Sequence, residues 1–262
     1  MANITLRQAA AWCGGTVEEK YADVEFFGAN NDTRVLKPGQ LFIVLQGARD
    51  GHDFIPAAME KGAAAVLCSK KVGDYPAIYV EDPRKALGDI ARQELQRIKA
   101  KVVAVTGSVG KSTTKEMIAA VLSSTFKVSK TPANHNNDIG MPMAILAMPL
   151  DTEVAVLEMG MNHFREMAYL SSVARPDIAV IVNIGSPGFF ILRPCWRTFN
   201  LSGVRIARGP STRMAERSPL RLPTPASCRV VMHRAWSVIT GSTFISMKYR
   251  PVLPPHPPAL AV

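Results

Sequence analysis

The chain of 262 residues has no apolar run able to cross a bilayer. Its longest apolar stretches, such as 178–184, fall far short of the ~20 residues that a spanning helix needs. It opens with MANITLRQAA, one basic residue and no apolar core, so no secretory signal is expected there. The four cysteines, Cys13, Cys68, Cys195 and Cys228, lack paired or metal-ligand spacing. That speaks against a disulfide framework or a zinc module and reads as reduced thiols in the cytoplasm. No Ser/His/Asp set and no nucleophilic cysteine stands out. His52, His135 and His163 sit in loops or at a helix start, and none is assigned as a general base.

Acidic residues are almost missing from one end. Residues 1–185 hold 20 Lys+Arg against 20 Asp+Glu, whereas 186–262 hold 11 basic residues and one acid, Glu216. The net charge of +10 therefore belongs to the tail and is no general nucleic-acid signal. The tail also prefers Arg over Lys, 10 to 1, and carries 11 of the 19 prolines. It shows no sustained period of two or 3.6, and its large apolar residues (Trp196, Phe199, Trp236, Phe244) are isolated. A poorly structured segment is expected over 186–262.

What is present before that point is regular. Residues 1–98 read as a small α/β unit. Its elements are a helix at Leu6 to Cys13, strands near 24–27, 41–45, 64–68 and 77–80, a helix at 54–61, and a helix opened by Pro83. From Lys101 short hydrophobic strands alternate with helices: 102–105, 112–122, 126–129, then 154–157, 164–174 and 178–183. This alternation predicts a parallel sheet with right-handed crossovers, whose ligands gather beyond the carboxyl ends of the strands. The fold class is α/β: a small N-terminal unit (1–98), an incomplete P-loop-type parallel-sheet unit (99–185), then the tail.

The segment KVVAVTGSVGKSTT, Lys101 to Thr114, carries the most chemistry. A β-branched strand enters Gly107-Ser108-Val109-Gly110-Lys111-Ser112-Thr113 and a helix follows. Glycines let backbone N–H groups turn toward a phosphate, and the helix N-terminus adds its positive end. Lys111 supplies a charge for the β/γ phosphates, and the Ser112 hydroxyl is placed for Mg²⁺. ATP or GTP is the expected ligand. Only two residues separate the glycines, fewer than in the general P-loop pattern. Glu158 ends a buried strand on the same rim, as a second Mg²⁺ ligand or as a capping or surface glutamate. The loop Thr131 to Pro142, with Asn134, Asn136 and Asn137, can hydrogen-bond a sugar, phosphate or carboxylate, or be only a turn.

The strings TGSVGKSTTKE, NHNNDIGMP, LEMGMNH and RPDIAVIVNIG, in this order and spacing, resemble the Mur ligase family, as do NNDTR and PGQLFIVLQGARDGHDF near the N-terminus. The resemblance covers about residues 1–185. It implies ATP-driven amide synthesis in peptidoglycan precursor assembly, with D-Ala-D-Ala joined to UDP-MurNAc-tripeptide through an acyl phosphate. It further implies ATP on Gly107–Thr113, Lys111 at the phosphates, and Mg²⁺ on Ser112 and Glu158. Asn136 and Asn137 would face the metal and phosphate region, Asn136 at ATP and Asn137 among the catalytic residues with Lys111 and Glu158. Asp32, Thr33, Arg34 and the Gly47–Asp53 loop, with Asp50 and His52, would receive the UDP-sugar. A cytoplasmic monomer without nucleic-acid or membrane partners is expected.

After Gly185 the family's later histidine, glutamate, modified lysine and third domain are not readable. An abrupt change in Arg and Pro usage at one point is what an out-of-frame reading produces, and weak or absent ligation is expected of this polypeptide. Two other readings remain open. One is a nucleotide-binding module whose basic tail binds nucleic acid or membrane; the other is a P-loop GTPase or kinase.

Overall fold

The computed structural model describes residues 3–47, 50–161 and 166–182, together with the backbone of 230–235 and 244–249. The N-terminal part runs β1 (Ile4–Thr5), α1 (Leu6–Cys13), β2 (Thr16–Val17), β3 (Glu25–Phe26), β4 (Ala29–Asn30), β5 (Leu41–Ile43), α2 (Ile55–Glu60), β6 (Ala65–Cys68), β7 (Ala77–Tyr79) and α3 (Pro83–Ile98). There follow β8 (Lys101–Thr106), α4 (Lys111–Leu122), β9 (Val128–Lys130), α5 (Gly140–Leu146), β10 (Val154–Glu158), α6 (Glu166–Ala174) and β11 (Ile178–Ile181).

The first sheet has the order β2-β7-β6-β5-β4, parallel from β4 through β7, with β2 antiparallel at the edge. β5 and β6 are buried on both faces, which is why they read as unbroken apolar runs. Alternate residues serve different layers. Leu41, Ile43, Ala65, Leu67 and Ile78 face α1 and α3, while Phe42, Val44, Val66, Cys68 and Ala77 pack with Ile55 and Ala58 of α2. Burial pushes the Cys68 thiol up to about 11, so it is an inert packing group.

The second sheet, β11-β8-β10-β9, is parallel throughout, as the strand–helix alternation predicts. Val102 and Ala104 of β8, with Ala155 and Leu157 of β10, face a core shared with α3, α5 and α6. The intervening residues point to the other face, where α4 lies across β8, β9 and β10.

Helix α3 joins the two sheets. Asp82 caps it by accepting the Arg84 and Lys85 N–H groups, and Pro83 occupies its first turn. Leu87, Ile90, Ala91 and Leu95 belong to one core with Leu6 and Leu41 on one side and with Met141, Ile145 and Leu170 on the other. At Gly88 a Cβ would lie 2.0 Å from the Tyr169 hydroxyl, so only glycine lets α3 and α6 approach this closely. Burial pushes that Tyr169 phenol up to about 12.

The sequence reading missed α5, because an asparagine-rich run ending in Pro142 looks like a turn. The proline is the third residue of α5, in the first turn, where its missing N–H costs nothing. In the tail, the described residues are β12 (Val230–Ala235) and β13 (Phe244–Tyr249), an antiparallel pair in a separate compact unit. The segments around His163 and Asn183–Gly185 lie outside the described residues. Among the described residues no helix is long and apolar enough to cross a membrane.

Candidate functional site

β8 lies inside the second sheet, and its carboxyl end delivers Gly107–Gly110 to the rim. Gly110, at φ 81°, forms the left-handed turn that starts α4, and no side chain caps the helix there. A residue with a Cβ would be strained in that conformation. Thr114 N–H donating to Gly110 O at 3.0 Å begins the helical ladder. The Lys111 amine donates to Gly107 O at 2.9 Å and lies 3.5 Å from Ser108 O, so it folds back along the loop. Ser112 and Thr113 are exposed in the first turn of α4, and Val109 is exposed in the loop.

Glu158 is the last residue of β10, in register with Val105 of β8. Period-two alternation puts it on the α4 face, and it is 1% exposed. The Asn136 amide donates to its Oε1 at 2.9 Å, and Thr131 Oγ1 accepts its backbone N–H at 2.9 Å. Its Oε2 is buried with no hydrogen-bond partner, and the Lys115 ammonium stands 3.6 Å away. The glycine loop is tied to this strand by Thr106 Oγ1, which donates to Met159 O at 2.9 Å, and by Met159 N–H, which donates to Val105 O at 2.9 Å. Loop, carboxylate and asparagine therefore share one rim.

The two adjacent asparagines part company. Asn136 reaches Glu158, and its carbonyl accepts the Gly160 N–H at 2.7 Å. Asn137 Oδ1 accepts the Gly140 and Ile139 N–H groups at 2.7 and 3.2 Å, closing the turn into α5. Asn137 thus shapes the loop that presents Asn136. Ala133, at φ 37°, places a left-handed residue in the same loop.

Sequence reasoning passed over Lys115 and the buried Thr131. Lys115 is 1% exposed on the stripe of α4 that carries Ile118 and Ala119. A charged residue on an apolar stripe was the available signal.

The N-terminal candidates lie on the carboxyl rim of the first sheet. Asp32, Thr33 and Arg34 follow β4. Asp32 accepts from the Arg34 side chain at 2.6 Å and from its backbone N–H at 2.9 Å, which lowers its carboxyl to about 2. The Lys61 amine donates to Thr33 O at 2.7 Å. Gly47, Asp50 and His52 follow β5, with Gly47 in open space; 48 and 49 lie outside the described residues. Lys70, after β6, pairs with Asp50 at 2.6 Å, and the His52 ring with the same carboxylate at 2.5 Å. Those two partners, Lys70 first, hold the Asp50 carboxyl well below the usual range. His52 Nε2 is buried without a hydrogen-bond partner.

A glycine loop opening a helix beside a strand-end carboxylate, within a parallel sheet, defines a P-loop-type α/β protein. The Mur ligase family catalytic-domain model matches residues 28–95, and the Mur ligase middle-domain model matches 105–188. Over residues 28–188 the chain belongs to the Mur ligase family.

Among its relatives, UDP-N-acetylmuramoyl-tripeptide--D-alanyl-D-alanine ligase of Bacillus subtilis is 46% identical over 187 residues, 69% of this chain and 41% of that protein. Crystal structure I of MurF from Acinetobacter baumannii superposes with a TM-score of 0.70 at 28% identity, covering 79% of this chain and 49% of that one. The MurF ligase of Thermotoga maritima, crystallised in complex with ADP, gives a TM-score of 0.57 at 36% identity, covering 62% of this chain and 39% of that one. The chain thus spans less than half the length of the relatives it matches.

Proposed function

We propose that residues 1–98 and 99–185 form the UDP-sugar and ATP portions of an ATP-dependent peptide ligase. Its reaction joins D-Ala-D-Ala to UDP-MurNAc-tripeptide in peptidoglycan precursor synthesis. The observation that carries this reading is the shared rim of Lys111, Asn136 and Glu158; the relatives' names supply the substrates. A carboxylate is a poor electrophile, and ATP supplies the phosphoryl group that turns it into one able to accept an amine. On this chain, Gly107–Thr113 would wrap the phosphates and Lys111 would offset their charge. Asp32–Arg34 and the Gly47–His52 loop would hold the UDP-sugar at the rim of the first sheet.

The donor set fits Mg²⁺. Among the described residues no cluster of three or more His, Cys, Asp or Glu exists to cage a metal. Mg²⁺ keeps waters and uses one or two protein oxygens plus substrate phosphates. Glu158 Oε2, buried and without a hydrogen-bond partner, and the Ser112 hydroxyl in the first turn after the loop meet that need.

Thermal unfolding tests the reading. ATP with Mg²⁺ and UDP-MurNAc-tripeptide should each raise the melting temperature of the chain, as a ligand that binds only the folded state must. Failure of both to do so would overturn it. A preference for GTP over ATP would favour the GTPase reading instead.

Gly160 supplies a sharper check. A Cβ there would lie 2.9 Å from Asn136 Cγ and Oδ1, so Gly160→Ala pushes the amide away from Glu158. Weaker binding of a fluorescent ATP analogue in Mg²⁺ is expected, by several-fold to about tenfold, the cost of one hydrogen bond. The analogue titrated without divalent cation should bind the variant and the parent chain alike.

A further inference from the structure

Lys115 has no part in the phosphate loop, yet among the described residues it is the most deeply buried cation near it. It lies one helical turn beyond Lys111 and points inward from α4 with Ile118 and Ala119. A buried ammonium must find acceptors or its desolvation goes uncompensated. It donates to Thr131 O at 2.7 Å, and Glu116 Oε1 lies 3.4 Å away. Glu158 Oε2, at 3.6 Å, is within ion-pair reach but beyond a hydrogen bond. Thr131 is fully buried and itself grips β10: its N–H donates to Val156 O at 3.1 Å, and its Oγ1 accepts Glu158 N–H. One ammonium therefore joins α4, the asparagine loop and the strand-end carboxylate.

We propose that Lys115 is a positioning residue that balances the buried charge of Glu158 and thereby makes the cation site depend on nucleotide. The inference rests on the assignment of Glu158 to Mg²⁺ made above. Glu158 Oε1 is engaged by Asn136, so Oε2 is the oxygen left for a cation. Lys115 already faces that oxygen, and a divalent ion approaching it meets a like charge at short range in a poorly screened site. Bare Mg²⁺ is disfavoured. A nucleotide's phosphates add the negative charge that lets both cations share the site, so the ion enters as the Mg²⁺–nucleotide complex. The Thr131 carbonyl retains the ammonium close by when this happens.

The test is a double-variant cycle on the full chain, read by melting temperature in EDTA, in MgCl₂ alone, and in MgCl₂ with ADP. Lys115→Met should melt below the parent chain in EDTA, because it strands the Glu158 carboxylate. Glu158→Gln in the same chain should recover most of that loss, since a neutral amide needs no counter-charge. A merely structural lysine would give additive losses. Lys115→Met should also be stabilised by MgCl₂ alone, with Mg²⁺ affinity at least about tenfold above the parent's.

Additive losses in EDTA, or equal responses of the parent and Lys115→Met to MgCl₂ alone, would overturn the proposal. Should Lys115→Met fail to fold, recovery of folding in the double variant is the supporting result, and continued failure the opposing one. If Glu158→Gln binds ADP with undiminished Mg²⁺ dependence, the metal assignment falls, and the EDTA cycle still reports on the charge pair.

Discussion

Lys111→Met lowers the affinity of the chain for ATP by roughly 10- to 150-fold, the worth of about 1.5–3 kcal/mol for a hydrogen bond to a charged group. Its melting temperature falls by only about 1–6 °C. The two halves of this result have separate causes. The Lys111 amine folds back onto Gly107 O at 2.9 Å; the lysine is half-exposed, and the glycine it meets is buried. Removing it takes that donor from the carbonyl of buried Gly107, at a cost of about 0.5–1.5 kcal/mol. Its value lies in the phosphates it would meet. Lys111→Arg is not expected to restore binding, because a planar guanidinium does not fit where a compact ammonium reaches phosphate. Isothermal titration with ATP and Mg²⁺, beside a thermal melt, checks both halves. An unchanged affinity would remove Lys111 from the phosphate site.

The contrast with Lys115 is instructive because the two lysines are four residues apart on one helix. Lys111 should matter for ligand and little for stability, whereas Lys115 should matter for stability even without ligand. Sequence showed the first and hid the second. A lysine after two glycines, between a β-branched strand and a helix, is recognisable because every residue of the pattern serves a local geometry. Glu158 was legible for a similar reason: four apolar residues followed by a carboxylate place an acid at a strand end, and the carboxyl rim is where parallel sheets put ligands. Lys115 becomes visible only once the buried stripe of α4 is known, which depends on the sheet that α4 covers.

The asparagines show the limit more sharply. Asn136 and Asn137 are chemically identical neighbours, and the resemblance assigns them together. One turn of backbone decides that Asn136 meets Glu158 while Asn137 caps the entry to α5. The N-terminal strands raise a different difficulty. β1, β2, β3 and β4 are two residues each, too short for any period to register; β1 and β3 pair with each other, and β2 and β4 are the edges of the first sheet. By contrast, α3 was readable from Pro83 to Ile98, since four turns of apolar spacing and a capped start agree with one another.

That helix carries the second large effect. Leu87 is fully buried in the core that runs from Leu6 and Leu41, through α3, to Met141 and Leu170. Leu87→Ala should cost about 2–5 kcal/mol, lost transfer energy plus the cavity left behind. That is a large share of the about 5–15 kcal/mol that holds a typical domain folded. A fall in melting temperature of roughly 4–20 °C follows for a unit of this size. The more discriminating outcome is its shape. Because α3 packs on both sheets, far-UV circular dichroism and the release of bound fluorescent nucleotide should report one coincident transition, shifted as a whole. Val66→Ala, in the core between the first sheet and α2, opens a smaller cavity on one side only and should lower the melting temperature less. If Leu87→Ala instead separated the two signals into distinct steps, the sheets would be folding independently and α3 would be a tether. The continuous core, the Arg84–Asp138 ion pair at 2.7 Å and the glycine-sized contact at Tyr169 argue that it is a shared wall.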